Sequence, residues 1–146
     1  MEELLELHRC INEQRYHDAL VIIEAMEEMS REDKISKIGS FIKILLIHLI
    51  KRHAEKRTTR SWDASIFNAV FEIQRINQRR KTGGYYMTRD ELSETIEAYY
   101  SAALRFAALE AFGGRYDATE LETMFDPAEV KHETLEMIRQ QTQYFC

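Results

Sequence analysis

His48 is the residue best placed to do chemistry. It stands among apolar neighbours in FIKILLIHLI, residues 41–50. An imidazole there is either a buried histidine bonded to one partner across a helical core, or a ligand or proton-transfer group. Nucleophilic catalysis would need a partner, and no serine, cysteine or glycine elbow accompanies His48. The structural role is the expectation. A metal-dependent enzyme centred on His48, with two further histidines completing a three-histidine site, ranks behind it.

Two other metal patterns are incomplete. Glu129-x-x-His132 has the spacing of a carboxylate-bridged di-iron site, which needs a second such pair on another helix. The residues three before His8, His17, His48 and His53 are Leu5, Gln14, Leu45 and Ile50, so the second pair is missing. Glu24-x-x-Glu27 and Glu94-x-x-Glu97 supply half of a magnesium site of the helical pyrophosphohydrolase kind. Its Glu-x-x-Asp half is absent. Those acids read as solvated helix faces, and neither a metal nor another cofactor is expected.

The cations form the next candidate. Lys51, Arg52, Lys56, Arg57, Arg60, Arg75, Arg79, Arg80 and Lys81 gather around one corner. Arg60 and a helix starting at Ser61 would suit a phosphate or carboxylate. Trp62 follows in the first turn, where its ring can pack on the neighbouring helix while the N–H finds water or a carbonyl. Residues 1–33 carry −7, residues 34–81 carry +9 and residues 82–146 carry −7. The acidic helices at 17–29 and 90–110 are expected to lie alongside the basic corner and cover it. Nucleic-acid binding through residues 51–60 is the second reading. A pI near 5.6 and the lack of interleaved aromatics in HAEKRTTR weigh against it.

The elements that must position these residues are helices. Ile35, Ile38, Ile42, Leu45 and Leu49 step by three and four, and Phe41, Ile44 and Ile47 widen the apolar face. A helix apolar over most of its girth is a central core helix. The run is too short for a membrane span of roughly 20 apolar residues. Ser30 with Glu32 and Asp33 reads as its capped start. The following helix runs through Ile66, Val70 and Ile73, and the short polar link implies antiparallel neighbours. Before them, Leu4, Leu7 and Ile11 mark one amphipathic helix. Leu20 and Ile23, beside Val21, Ile22 and Met26, mark a second with an acidic outer face; Arg15-Tyr16 is a weak break between the two, which leaves one bent helix as the alternative.

Beyond the centre, Gly83-Gly84 reads as a helix stop. Thr88 with Glu91 is a capping box opening a long helix through Phe112, ended by Gly113-Gly114. Asp117 with Glu120 is a second box, opening a short helix to Phe125. Asp126-Pro127 starts a last helix to about Tyr144 through Val130, Leu135 and Ile138.

LLIHLIKR, then RSW, then Ser65-Ile66 resembles the signature of the bacterial family called domain of unknown function twenty-nine. IEAMEEMSRED resembles that family's acidic lead-in helix. The matching positions include Leu45, Leu46, His48, Leu49, Lys51, Arg60, Ser61, Trp62 and Ile66. The likeness covers roughly residues 5 to 110 and fades beyond Gly114. Arg52 and His53 depart from the Trp or Gln that tends to follow the lysine. The resemblance implies an all-helical fold and no known activity.

The 146 residues are 45% hydrophobic and 31% charged, with a single proline and net charge −5. One domain over residues 1–146 is expected. Such a chain buries about 68–70% of its unfolded surface. MEELLELHR is acidic where a signal peptide needs cations, so a cytoplasmic location is expected. Cys10 and Cys146 are expected as reduced thiols, Cys10 in the core. The fold expected is all-α: a compact bundle of four main helices with short extra helices at the ends. The function expected is protein–protein contact without catalysis, with a homodimer among the forms, no membrane, and nucleic acid behind.

Overall fold

A computed structural model describes residues 2–79 and 83–140. Among them the chain forms six α-helices: α1 (Glu2–Asn12), α2 (Tyr16–Glu55), α3 (Arg60–Asn77), α4 (Arg89–Glu110), α5 (Ala118–Glu122) and α6 (Pro127–Gln140). A 3-10 turn, Ala111–Gly114, follows α4. The all-α expectation holds. Among the described residues no helix is long and apolar enough to cross a membrane. The chain divides into two compact units, Met1–Lys34 and Ile35–Cys146.

In the first unit the break near Arg15 is a real turn. Arg15 N donates to Cys10 O at 2.8 Å and Gln14 N donates to Ile11 O at 3.1 Å. Gln14 is left-handed, at φ 62°. This is the paired hydrogen bonding that closes a helix C-terminus, with glutamine where glycine is usual. Arg15 gathers the carboxylates of Glu6, Glu13 and Asp18 within 3.2–3.6 Å. Cys10 is buried, as expected, and among the described residues it is in no disulfide. Cys146 lies outside the described residues.

Ser30 does not start a helix. It falls inside α2, which continues through Glu32 and Asp33. Neither glycine nor proline occurs between Tyr16 and Ile38, and a good capping residue starts a helix only where something else has ended the previous one.

In the second unit the α2 residues Ile38, Ile42, Leu45, Leu46, Leu49 and Ile50 are all fully buried. They join Ile66, Val70 and Ile73 of α3, Ile96 and Leu104 of α4, Leu121 of α5, and Val130 and Leu135 of α6 in one core. Gly39 admits close approach: a Cβ there would meet the Tyr99 ring at 2.6 Å.

The ends of α3 differ from expectation. Thr59, not Ser61, is the N-cap, and its Oγ1 accepts from Trp62 N at 3.1 Å. At the other end α3 stops at Asn77, well before Gly83-Gly84. The buried Asn77 side chain accepts from Met87 N at 2.8 Å and donates to Met87 O at 3.3 Å. Tyr86 N donates to Asn77 O and Arg79 N to Gly84 O, so the glycines belong to the return turn. Satisfying those backbone groups with a nearby strand-like bridge replaces the glycine cap.

Both capping boxes form, at Thr88/Glu91 and Asp117/Glu120. Asp126 accepts from Ala128 N, and Pro127 opens α6. The expected extension of α6 to Tyr144 lies outside the described residues.

Candidate functional site

The end of α2 presents His48, Lys51, Arg52 and Glu55 at helical spacings of three and four, so they share one side of it. Lys51 is the unusual one, at 4% exposure. Burying a lone ammonium costs several kcal/mol unless something answers it. Two groups do. Glu110 Oε1, at the end of α4, lies 3.5 Å from its Nζ, and the Trp62 ring centroid lies 4.6 Å away. Arg57 adds a second cation 4.9 Å from the same indole. Trp62 itself is half-buried, held at the start of α3 by the Thr59 cap.

Glu55 ties the chain after α4 to the same corner. Its Oε1 accepts from Arg57 Nε at 2.8 Å and its Oε2 from Phe112 N at 3.1 Å. Phe112 takes a left-handed φ of 52°, followed by Gly113 and Gly114 in the same region. A Cβ on Gly114 would approach Leu109 O to 2.9 Å, so the tight turn needs a glycine there.

His48 is half-buried, and its Nδ1 is buried with no hydrogen-bond partner. The expected partner across the bundle is therefore missing on that nitrogen. Burial, reinforced by the Lys51 ammonium and partly opposed by Glu110, holds the imidazole below the usual histidine range. It is neutral at neutral pH. The histidine that does bond across the bundle is His53, whose Nε2 meets Glu133 Oε2 of α6 at 2.5 Å.

The structure thus brings His48 and Lys51 onto one helix face and joins Lys51 to Trp62. It does not add Arg60 or Ser61, both exposed. The start of α3 is already answered by the chain. Asp63 accepts from Thr58 Oγ1 at 2.5 Å and lies 3.7 Å from Arg52, a carboxylate where the helix dipole favours one.

Some cations of the basic corner are paired and others are not. Within the second unit the 90–110 helix supplies Glu110. The other acids, Asp63 and Glu55, come from the corner itself. Arg75 likewise pairs locally, with Glu72 at 2.6 Å. Lys56 and Arg60 remain exposed with no ion-pair partner among the described residues. Arg80 and Lys81 lie outside those residues.

Sequence reasoning missed a second polar knot. Tyr100 donates to Glu122 Oε2 at 2.7 Å, and burial together with that carboxylate raises the hydroxyl above the usual tyrosine range. Lys131 lies 4.4 Å from the Tyr100 ring centroid and 3.0 Å from Glu97 Oε2. These partners lie 22 to 80 positions apart, counting His53–Glu133, so helical periodicity carried no signal of them.

Chemically the corner offers a half-buried imidazole and a buried ammonium paired with Glu110. Among the described residues no group of three or more His, Cys, Asp or Glu side chains is arranged to hold a metal.

The first unit presents a different kind of surface. Among its described residues the buried hydrophobic ones are Cys10 and Ala19. Leu4 and Ile11, both on the apolar stripe read from α1, are 48% and 50% exposed, and Leu20 of α2 is 56% exposed. Leu5, Tyr16, Val21 and Met29 are exposed as well.

The family model described as Domain of unknown function DUF29 matches residues 7–138. The chain belongs to that family. The match reaches past Gly114, where the motif likeness had faded, and takes in α5 and most of α6. No curated protein and no solved structure matches the chain.

Proposed function

We propose that this member of the DUF29 family acts through protein contacts, without a catalytic step, and that the contact is made by the hairpin of α1 and the first part of α2 with a second copy of itself. One observation carries the reading: the two helices expose apolar residues at the positions that periodicity marks as core-facing, Leu4, Ile11 and Leu20. A two-helix hairpin with so little of its own core gains by covering that stripe. Two such hairpins make a four-helix arrangement, and two-fold dimers are the commonest closed assembly.

The charge of the hairpin gives the reading a signature. Residues 1–33 carry −7, so two hairpins meeting face to face bring like charges together. Salt screens that repulsion while leaving apolar burial intact. Self-association therefore tightens as salt rises. An acidic hairpin seated on a basic surface would do the opposite. The cations Lys51, Arg52 and Arg57 already hold carboxylates, which supports ranking anion or nucleic-acid binding second.

Sedimentation equilibrium tests the reading. The expected result is a dimer that strengthens with salt and becomes a monomer in the Leu4→Glu, Leu20→Glu double variant. Both positions are exposed, so the variant is expected to keep its helical circular dichroism. A chain that is monomeric at all concentrations overturns the proposal, as does a dimer indifferent to the two substitutions.

A further inference from the structure

Helix α4 is apolar on two opposite sides. One side, with Leu92, Ile96, Tyr100 and Leu104, lies in the core. The other carries Ala98, Ser101, Ala102, Arg105, Phe106 and Leu109, which line an open groove of about 560 Å³. Their spacings of three and four put them in one stripe. Phe106 is 47% exposed and Leu109 73%. A surface helix needs one apolar side to hold it to the core, so the second side is a place for another helix.

Charge changes sign along that stripe. Glu94, one turn before Ala98, is exposed, and so is Arg105, three residues after Ala102. Lys43 of α2 reaches the same end as Arg105, its Nζ 4.9 Å from the Phe106 ring centroid. None of the three has an ion-pair partner among the described residues. The neighbouring acids are already answered, Glu97 by Lys131 and Glu110 by Lys51.

This pattern is complementary to itself. When two copies of one helix pack antiparallel about a two-fold axis, each contact occurs twice. The register that sets Glu94 against the second copy's Arg105 also sets Ala98 against its Ser101. Small side chains then meet at the axis, where the two backbones come closest, and a Glu–Arg pair stands on either side. Phe106 and Leu109 of each copy fall over the first two turns of the other's α4.

We propose that this side of α4 is a second self-association surface, an antiparallel contact between the α4 helices of two copies. It is separate from the hairpin contact and weaker, since one helix per copy makes an interface at the small end of the range. Single chains pair through it only near about 1 mM. Hairpin dimers carry the surface twice, so at high concentration it joins them into larger assemblies.

The test uses the full chain with Leu4→Glu and Leu20→Glu, so that it reads the same whether or not hairpins associate. Translational diffusion is measured by NMR up to about 2 mM. Diffusion should slow toward that of a dimer as concentration rises. Salt should weaken this association, the reverse of its effect on the hairpins. Glu94→Arg and Arg105→Glu, both at exposed positions, should each abolish the slowing, because like charges then face each other. An equal mixture of those two variants should restore it, since every arginine again meets a glutamate. The Glu94→Arg, Arg105→Glu double variant should diffuse as the parent does. Diffusion of the parent no slower than that of the single variants, or a mixture that associates no better than its components, overturns the proposal.

Discussion

The Lys51 ammonium lies 4.6 Å from the centroid of the Trp62 ring, and the lysine is buried while the tryptophan is only half so. Trp62 is therefore less a core anchor than the lid on a buried cation. A fully packed tryptophan costs about 3–5 kcal/mol when cut to alanine. With part of its surface left in water, the loss in Trp62→Ala should be about 2–4 kcal/mol, including roughly 0.5–2 from the cation–ring contact. Trp62→Phe keeps a ring over Lys51 and should fall between the two. Denaturant midpoints measure both, and an alanine variant as stable as the parent would mean that Lys51 needs no cover.

His48 makes stability depend on pH in one direction. Burial first, then Lys51, lowers its folded pKa below the unfolded value of about 6.5. The unfolded chain then binds more protons than the folded one through that window. The contribution is fully present above the unfolded pKa and is lost as pH falls through the folded one. The charged groups facing the imidazole are Lys51 and Glu110. His48→Gln should remove this part of the acid sensitivity while keeping a polar group and most of the volume. His48→Ala should remove it too but start from lower stability. Urea midpoints of the three proteins between about pH 5 and pH 8 make the comparison, and parallel curves would show that His48 does not sense pH.

What was legible in the chain followed local physics. The core stripe of α2, the boxes at Thr88 and Asp117 and the Pro127 start each depend on residues within one or two turns, and all formed. What failed depended on competition. Ser30 could cap, but nothing stopped the helix before it. Gly83-Gly84 could end α3, but Asn77 clamped Met87 first. The candidate site divided in the same way. His48 and Lys51 share a face by spacing alone, and that was readable. The Glu110 and Phe112 contacts come from a turn far along the chain, and no residue near Lys51 announced them.

Gly39 was passed over for the same reason. In isolation a buried helical glycine should gain roughly 1 kcal/mol on becoming alanine. Here the new Cβ would lie 2.6 Å from Tyr99 Cε2 and Oη, and forcing a ring aside in a packed interior costs about 1–3 kcal/mol. Gly39→Ala should therefore lower the thermal midpoint. In a Tyr99→Leu background the same change should raise it, since the obstacle is gone. The double-mutant cycle reads the coupling directly. Additive effects would show that Tyr99 gives way without cost.

The turn between α1 and α2 yields the last prediction. Gln14 holds a left-handed φ of 62° at the position after the α1 cap and is exposed. Side chains with a Cβ are disfavoured there by about 1 kcal/mol, and glycine is not. The two backbone bonds that close the turn, Arg15 N to Cys10 O and Gln14 N to Ile11 O, do not involve the side chain. Gln14→Gly should thus keep the turn and stabilise the hairpin by roughly 0.5–1 kcal/mol, the greater freedom of glycine in the unfolded chain offsetting part of the gain. Gln14→Val, with a branched Cβ in the same conformation, should do the reverse. Amide hydrogen exchange of α1 is the measurement, because it reports local opening of the hairpin apart from unfolding of the second unit. If the hairpin is the self-association surface, the glycine variant should also dimerise more tightly, because its hairpin is open for less of the time. Slower exchange in α1 with unchanged association would separate the two effects and count against the hairpin as the contact.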